Sequence, residues 1–144
     1  MERKSFTLVE LLVAVGILMI LLLLVIPNVW RARINSNESV AVSNLKSLNS
    51  SLQMYYINND SFPDSLTDLI PPASEPAYID PELTDGVEAG YTFSYTQDSQ
   101  DSFHIIANPR RAGKTGTRYF YLDDSGDVHY NNESQASSSD PVLK

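Results

Sequence analysis

From Phe6 to Ile26 the chain is apolar for 21 residues, interrupted only by Thr7, Glu10 and Gly16. No other feature limits the fold as strongly. Wound as one helix at about 1.5 Å per residue, the run covers a hydrocarbon core of roughly 30 Å. Arg3 and Lys4 precede it, and the positive-inside rule keeps that end cytoplasmic, against a weaker pull from Arg31 and Arg33 on the far side. A cleaved secretory signal has an apolar core of about 7 to 15 residues and ends in small residues. Here the run is followed by "PNVWRARIN", which offers no such site.

Glu10 is the discriminating residue. Insertion scales place an acid at the centre of a spanning helix at about +2.5 to +3.5 kcal/mol, so a plain anchor has no reason to carry one. A partner is implied. If the chain is cut between Ser5 and Phe6, the new α-amine of Phe6, with a pKa of about 8, lies at the edge of the same apolar helix. Glu10 and that amine can meet within one helix or between copies, where two desolvated groups favour a single axial register. Pro27 is the second irregularity, because it gives no N–H to the carbonyl of Leu23 and crowds that turn. Either the helix loosens between Gly16 and Pro27, or Pro27 merely marks the end of the anchor.

"KSFTLVELLVAVGILMILLLLVIP" resembles the amino-terminal segment of type IV pilins and of the pseudopilins of type II secretion. A short basic leader, Phe-Thr-Leu-Val-Glu at the cut, an apolar run and a proline carry the likeness. The resemblance implies that a prepilin peptidase in the membrane removes residues 1–5 and N-methylates Phe6. It implies that Glu10 pairs with a neighbouring subunit's terminal amine during assembly, and that the helix can unwind near Pro27 in the fibre. Where the family usually has glycine before the cut, this chain has Ser5, which is also small.

Beyond Pro27 the period changes while the helix continues. Ile34, Ala41, Leu48 and Tyr55 lie seven apart, with Leu45, Leu52 and Tyr56 on the same stripe and Asn, Ser, Gln and Lys on the other faces. An amphipathic helix to about Ile57 follows. "NNDSFPDSLTDLIPP" breaks it, with Asp64 or Ser65 capping a short turn through Leu69, a corner that resembles the helix-to-domain junction of pseudopilins. Residues 71–90 read as an acidic, Pro-rich loop laid over the domain. From Tyr91 the period is two: Tyr91, Phe93 and Tyr95 share one face, as do Phe103, Ile105 and Ala107, and "RYFYLDDSGDVHY" reads as a second hairpin turning at Asp123 to Gly126. The aromatic faces and the helical stripe need each other. The expected fold is α+β and pilin-like: a long N-terminal helix, membrane-spanning and then amphipathic, packed on a small antiparallel sheet of about four strands. The corresponding divisions are a leader (1–5), an assembly helix (6–30), a globular domain (31–133) and a loose polar tail (134–144).

Catalytic chemistry finds no foothold. The chain has no cysteine, which removes thiol nucleophiles, Cys-based zinc sites and disulfides, including the one that closes the carboxyl-terminal loop of many pilins. His104 and His129 stand singly in strand patterns without a ligand cluster and read as structural. Asp123, Asp124 and Asp127, with Asp98 or Asp101, could gather around calcium, but their spacing is not that of an EF-hand and is what a solvated turn requires. No cofactor is expected beyond that calcium candidate.

Charge is more informative. Lys and Arg total 10 against 18 Asp and Glu, a balance of −8 that argues against nucleic acid as a partner. Between Lys46 and Arg110 there is no Lys or Arg; then Arg110, Arg111, Lys114 and Arg118 come close together. They are candidate inter-subunit contacts to the acidic stretch of an adjacent copy, against the plainer alternative of a solvated loop.

The expectation is thus a structural subunit of a type IV pilus-like or type II secretion pseudopilus filament. It is stored as a single-pass protein of the bacterial inner membrane with a cytoplasmic N-terminus. It then polymerises with its own copies, with an inner-membrane assembly platform and minor pilins or pseudopilins as partners, into a periplasmic or cell-surface filament. The alternative is a monomeric, membrane-anchored extracytoplasmic binding module.

Overall fold

The computed structural model describes residues 6–143; the leader, with Ser5, lies outside them. The chain divides into two units at Arg33 and Ile34, a few residues beyond the boundary expected at residue 30. One helix, α1 (Leu8–Asn59), contributes to both and is unbroken at Pro27. In the first unit its large apolar side chains are exposed, Leu8, Leu11, Ile17, Leu21, Ile26 and Trp30 among them. So much contiguous apolar surface far exceeds what a soluble monomer shows to water. α1 is long and apolar enough to cross a membrane.

The second unit is helix on sheet. Ala41, Leu45, Leu48 and Leu52 of α1 are fully buried, on the stripe that the periodicity predicts. The chain then turns through two short 3-10 helices, Leu66–Leu69 and Pro81–Asp85. Ser65 caps the first through its side chain, as expected, and Asp68 returns the bond to the Ser65 N–H at 3.0 Å.

Five antiparallel strands follow in sequential order: β1 (Val87–Glu88), β2 (Tyr91–Ser99), β3 (Ser102–Pro109), β4 (Tyr119–Asp123) and β5 (Val128–Asn131). The expected four are β2 to β5. The fifth, β1, is a two-residue edge strand that the acidic connection contributes, too short to show any period. Register sets Phe93 opposite Ala107 and Ile105 opposite Leu122. One face therefore carries Tyr91, Phe93, Phe103, Ile105, Ala107, Phe120, Leu122 and Val128 into the core beneath α1. Each large side chain buried there contributes about 1.5–3 kcal/mol. Phe62, from the corner, lies edge-on to Phe103 with centroids 4.7 Å apart.

The tail corrects the expectation that it is loose. Tyr130 N donates to the Pro141 carbonyl at 3.0 Å and Leu143 N to the Val128 carbonyl at 2.7 Å, so residues 141–143 line the free edge of β5. Asp140 accepts from Ser137 N at 2.7 Å and Asn131 Nδ2 at 2.9 Å, and Ala136 is buried. Covering an edge strand satisfies backbone groups and blocks mispairing. The order comes from main-chain bonds and one aspartate cap, which a polar composition does not reveal.

Gly116 yields a direct prediction. Tyr91, fully buried, sends its hydroxyl past this glycine to the Arg118 carbonyl at 2.7 Å, and a Cβ at residue 116 would run into that ring and hydroxyl. Gly116→Ala should cost about 1–3 kcal/mol by overpacking, read as a lowered Tm in detergent, and Tyr91→Phe in the same chain should recover part of the loss.

Candidate functional site

In the first unit, Thr7 precedes the first helical residue. Its N–H and Oγ–H both donate to Glu10 Oε2, at 2.9 and 2.8 Å, and Glu10 N–H donates to Thr7 Oγ1 at 3.2 Å. This reciprocal arrangement is a capping box, which satisfies free N–H groups at the helix start. The sequence reading sought the partner of Glu10 in the Phe6 amine and not in Thr7. The signal that it overlooked is Thr-Leu-Val-Glu, the T-x-x-E pattern of such a box. A carboxylate has about four acceptor sites, and the box uses two of them, so Glu10 keeps capacity for a cation from elsewhere. Phe6 lies next to the box and is exposed.

Beyond the backbone of its own helical turns and its chain neighbours, Gly16 has no atom within 4 Å of where a Cβ would stand. A glycine inside a helix costs about 0.5–1 kcal/mol relative to alanine, and nothing among the described residues of the subunit requires it. Pro27, inside α1, leaves the Leu23 carbonyl without its helical donor. Two weak points therefore bracket the second half of the apolar run.

In the second unit the main polar site is one that the sequence reading missed. Glu38 is 2% exposed. Its Oε1 accepts from Thr117 N and Thr117 Oγ1, both at 2.7 Å, and from Arg118 N at 3.2 Å, while Oε2 accepts from Arg118 Nε at 2.7 Å. Burial alone would push this carboxyl up. The Thr117 N–H and hydroxyl, then the Arg118 guanidinium, outweigh it and hold the group below the ordinary carboxylate range. Position 38 continues the buried stripe of 41, 45, 48 and 52, so an acid on an apolar stripe was the available sign. Arg118 also stands over the rings of Phe120 and Tyr130, at 5.7 and 5.9 Å. It is thus engaged within its own subunit, unlike Arg110, Arg111 and Lys114, which are exposed on the loop between β3 and β4.

The remaining candidates close local structure. Asp123 Oδ1 accepts from Ser125 N at 3.1 Å and shapes the β4–β5 turn. Among the described residues no three acids or histidines gather where they could hold a metal ion. His104 Nδ1 lies 2.7 Å from Asp98 Oδ2, and His129 Nδ1 donates to the Asp140 carbonyl at 2.6 Å.

Residues 1–26 match the family model of the prokaryotic N-terminal methylation motif. The chain is 31% identical to type II secretion system core protein G of Pectobacterium carotovorum over 113 residues, 78% of this chain and 72% of the relative. It is 32% identical to the protein of the same description from Dickeya chrysanthemi, covering 79% and 75% of the two chains. It is 30% identical to the type IV wide pilus major component PilA4 of Thermus thermophilus, covering 95% and 94%.

Proposed function

This chain belongs to the family of type IV pilins and type II secretion pseudopilins, and from that membership and its geometry we propose a filament subunit that prepilin peptidase cuts between Ser5 and Phe6. The observation that carries the reading is the exposed apolar surface of residues 6–30, with a capped acid at its start and a glycine that serves nothing within the subunit. In the membrane lipid covers this surface, and in the polymer the same surface packs against other copies. Gly16 then permits close approach of helices, and Pro27 marks where the helix yields.

Cutting after Ser5 frees the α-amine of Phe6 and N-methylation keeps it a cation. Glu10 of one subunit accepts that amine from a neighbour through the acceptor sites that its capping box leaves open. The pair fixes axial register, and head-to-tail contacts that do not close give an open fibre. The protein waits in the inner membrane with its N-terminus in the cytoplasm, and an assembly platform and minor subunits start and feed the polymer. Its role is structural, with no catalytic step. Intact-mass measurement of subunits from sheared filaments should show loss of residues 1–5 and gain of one methyl group on Phe6. Full-length subunits within the filament would refute the processing.

A further inference from the structure

The second unit carries opposite charge at its two ends, and we propose that these ends are complementary: the β3–β4 loop of one subunit docks on the acidic end of a second copy. The proposal rests on the filament reading and adds to it a contact between globular domains.

The basic end is built. Arg110 N donates to the Gly90 carbonyl at 2.9 Å, and Thr115 N and Lys114 N donate to the Arg111 carbonyl at 2.9 and 3.0 Å. Asn37 Nδ2 reaches the Thr115 carbonyl at 2.8 Å, and Glu38 holds Thr117 next to it. The loop is therefore tied to the first residues of α1 in this unit, and it presents Arg110, Arg111 and Lys114 to solvent. A shallow cleft lined by Gly90, Arg110, Arg111 and Thr115 lies between them, with donors suited to a carboxylate. Two guanidinium groups carried on an anchored backbone favour directional, bidentate pairing.

The acidic end is at the other limit of the same helix. Asp60 follows Asn59 directly, and Asp64, Asp98 and Asp101 are exposed beside it. Tyr56 Oη donates to Asp101 Oδ1 at 2.7 Å, and Phe62 N donates to the Gln100 carbonyl at 2.9 Å, which brings the β2–β3 turn to the helix end. Asp64, Asp68 and Asp98 all act on the Tyr95 hydroxyl from around it, adding to the burial that already raises its pKa. No Lys or Arg occurs from residue 47 to residue 109, so no such cation neutralises these acids locally in the sequence.

The two ends cannot pair within one domain. From Asn37 to Tyr56 a helix rises roughly 28 Å, several times the Debye length of about 8 Å at physiological salt. Each end is thus left open to an external partner of opposite charge. A polyanion would be repelled by the rest of a chain of net charge −8, whereas a polymer supplies one acidic end for every basic end. A contact between unlike ends is heterologous, the kind that builds an open filament where its rotation does not close a ring.

The absence of cysteine makes the test clean. Cells assembling the full chain should express two versions together, Arg111→Cys and Asp64→Cys, and their filaments should be treated with a short bis-maleimide. Dimers joining the two versions are expected, with none when Ser43→Cys replaces Asp64→Cys. Separately, Arg110→Glu with Arg111→Glu should reduce filament yield at least about tenfold at physiological salt, since like charges at an interface cost more than opposite ones gain. Asp64→Lys with Asp101→Lys in the same chain should restore it, and an unchanged Tm should accompany each variant. Normal filaments with no cross-link and no effect of charge reversal overturn this contact alone and leave the filament reading standing. Loss of binding to anionic phospholipid vesicles in the Arg variants, with filament yield unaffected by charge and no cross-link between the two versions, overturns it in favour of the membrane surface. Absence of filaments from the unsubstituted chain overturns both readings.

Discussion

Glu10→Leu is expected to leave the subunit in the membrane fraction at its normal level and to reduce sheared filaments to background. The two halves of that result have separate causes. Lipid favours leucine over a carboxylate by an amount that insertion scales put at about 3 kcal/mol at mid-span and less near the end, so anchoring is preserved. Assembly fails because the variant offers no anion to the amine of the next subunit, and apolar packing alone allows the helices to slide between registers of similar energy. Thr7→Val separates the two duties of the carboxylate. It removes one donor to Oε2 and the acceptor for Glu10 N–H, yet keeps the charge, so filaments should form with a less well-defined helix start. Fractionation followed by immunoblotting of sheared material reads all three chains side by side. A membrane-anchored module acting alone predicts unimpaired behaviour of the leucine variant, and wild-type filament yield from Glu10→Leu would refute the proposed role of the acid.

The elements of strong period were legible in the sequence, and what escaped was held by few bonds over long separations. The stripe through Ala41, Leu45, Leu48 and Leu52 and the alternation in β2 and β3 appear where they were expected, because burial imposes period on every residue of an element. Thr7 and Glu10 were seen separately, since a spanning segment draws attention to lipid cost rather than to local capping. Arg118 was grouped with Arg110, Arg111 and Lys114 on closeness in sequence, although a partner 80 positions away draws it inward. The tail was judged by composition, whereas the bonds that order it run through main-chain atoms of Val128 and Tyr130, which any sequence possesses. A single acid on an apolar stripe gives no period, only an exception to one. Such exceptions are the places to ask which distant donor answers them.

Glu38 is that exception, and its replacement should have the largest effect on stability. Glu38→Ala strips the acceptor from Thr117 N, Arg118 N and the Arg118 guanidinium together. Breaking a buried pair from one side costs about 3–5 kcal/mol; Arg118 is 34% exposed and recovers some hydration, which brings the expected loss nearer 2–4 kcal/mol. Glu38→Gln keeps one carbonyl acceptor and should lose about half as much. The pH dependence has a definite sign. The folded-state pKa lies below the ordinary 4.5, so the contribution is fully present above that value and fades as pH falls through the folded pKa, where the folded protein too must take up the proton. The gap in Tm between the unsubstituted chain and Glu38→Ala should accordingly be widest near neutrality and narrow on acidification below about pH 4.5. A gap independent of pH would mean that packing, not charge, holds Glu38 in place. Because the same carboxylate fixes Thr117 at the foot of the basic loop, Glu38→Ala should also weaken the cross-link from residue 111 at temperatures where the domain remains folded. The charge that stabilises the subunit would then be the one that aims its neighbours.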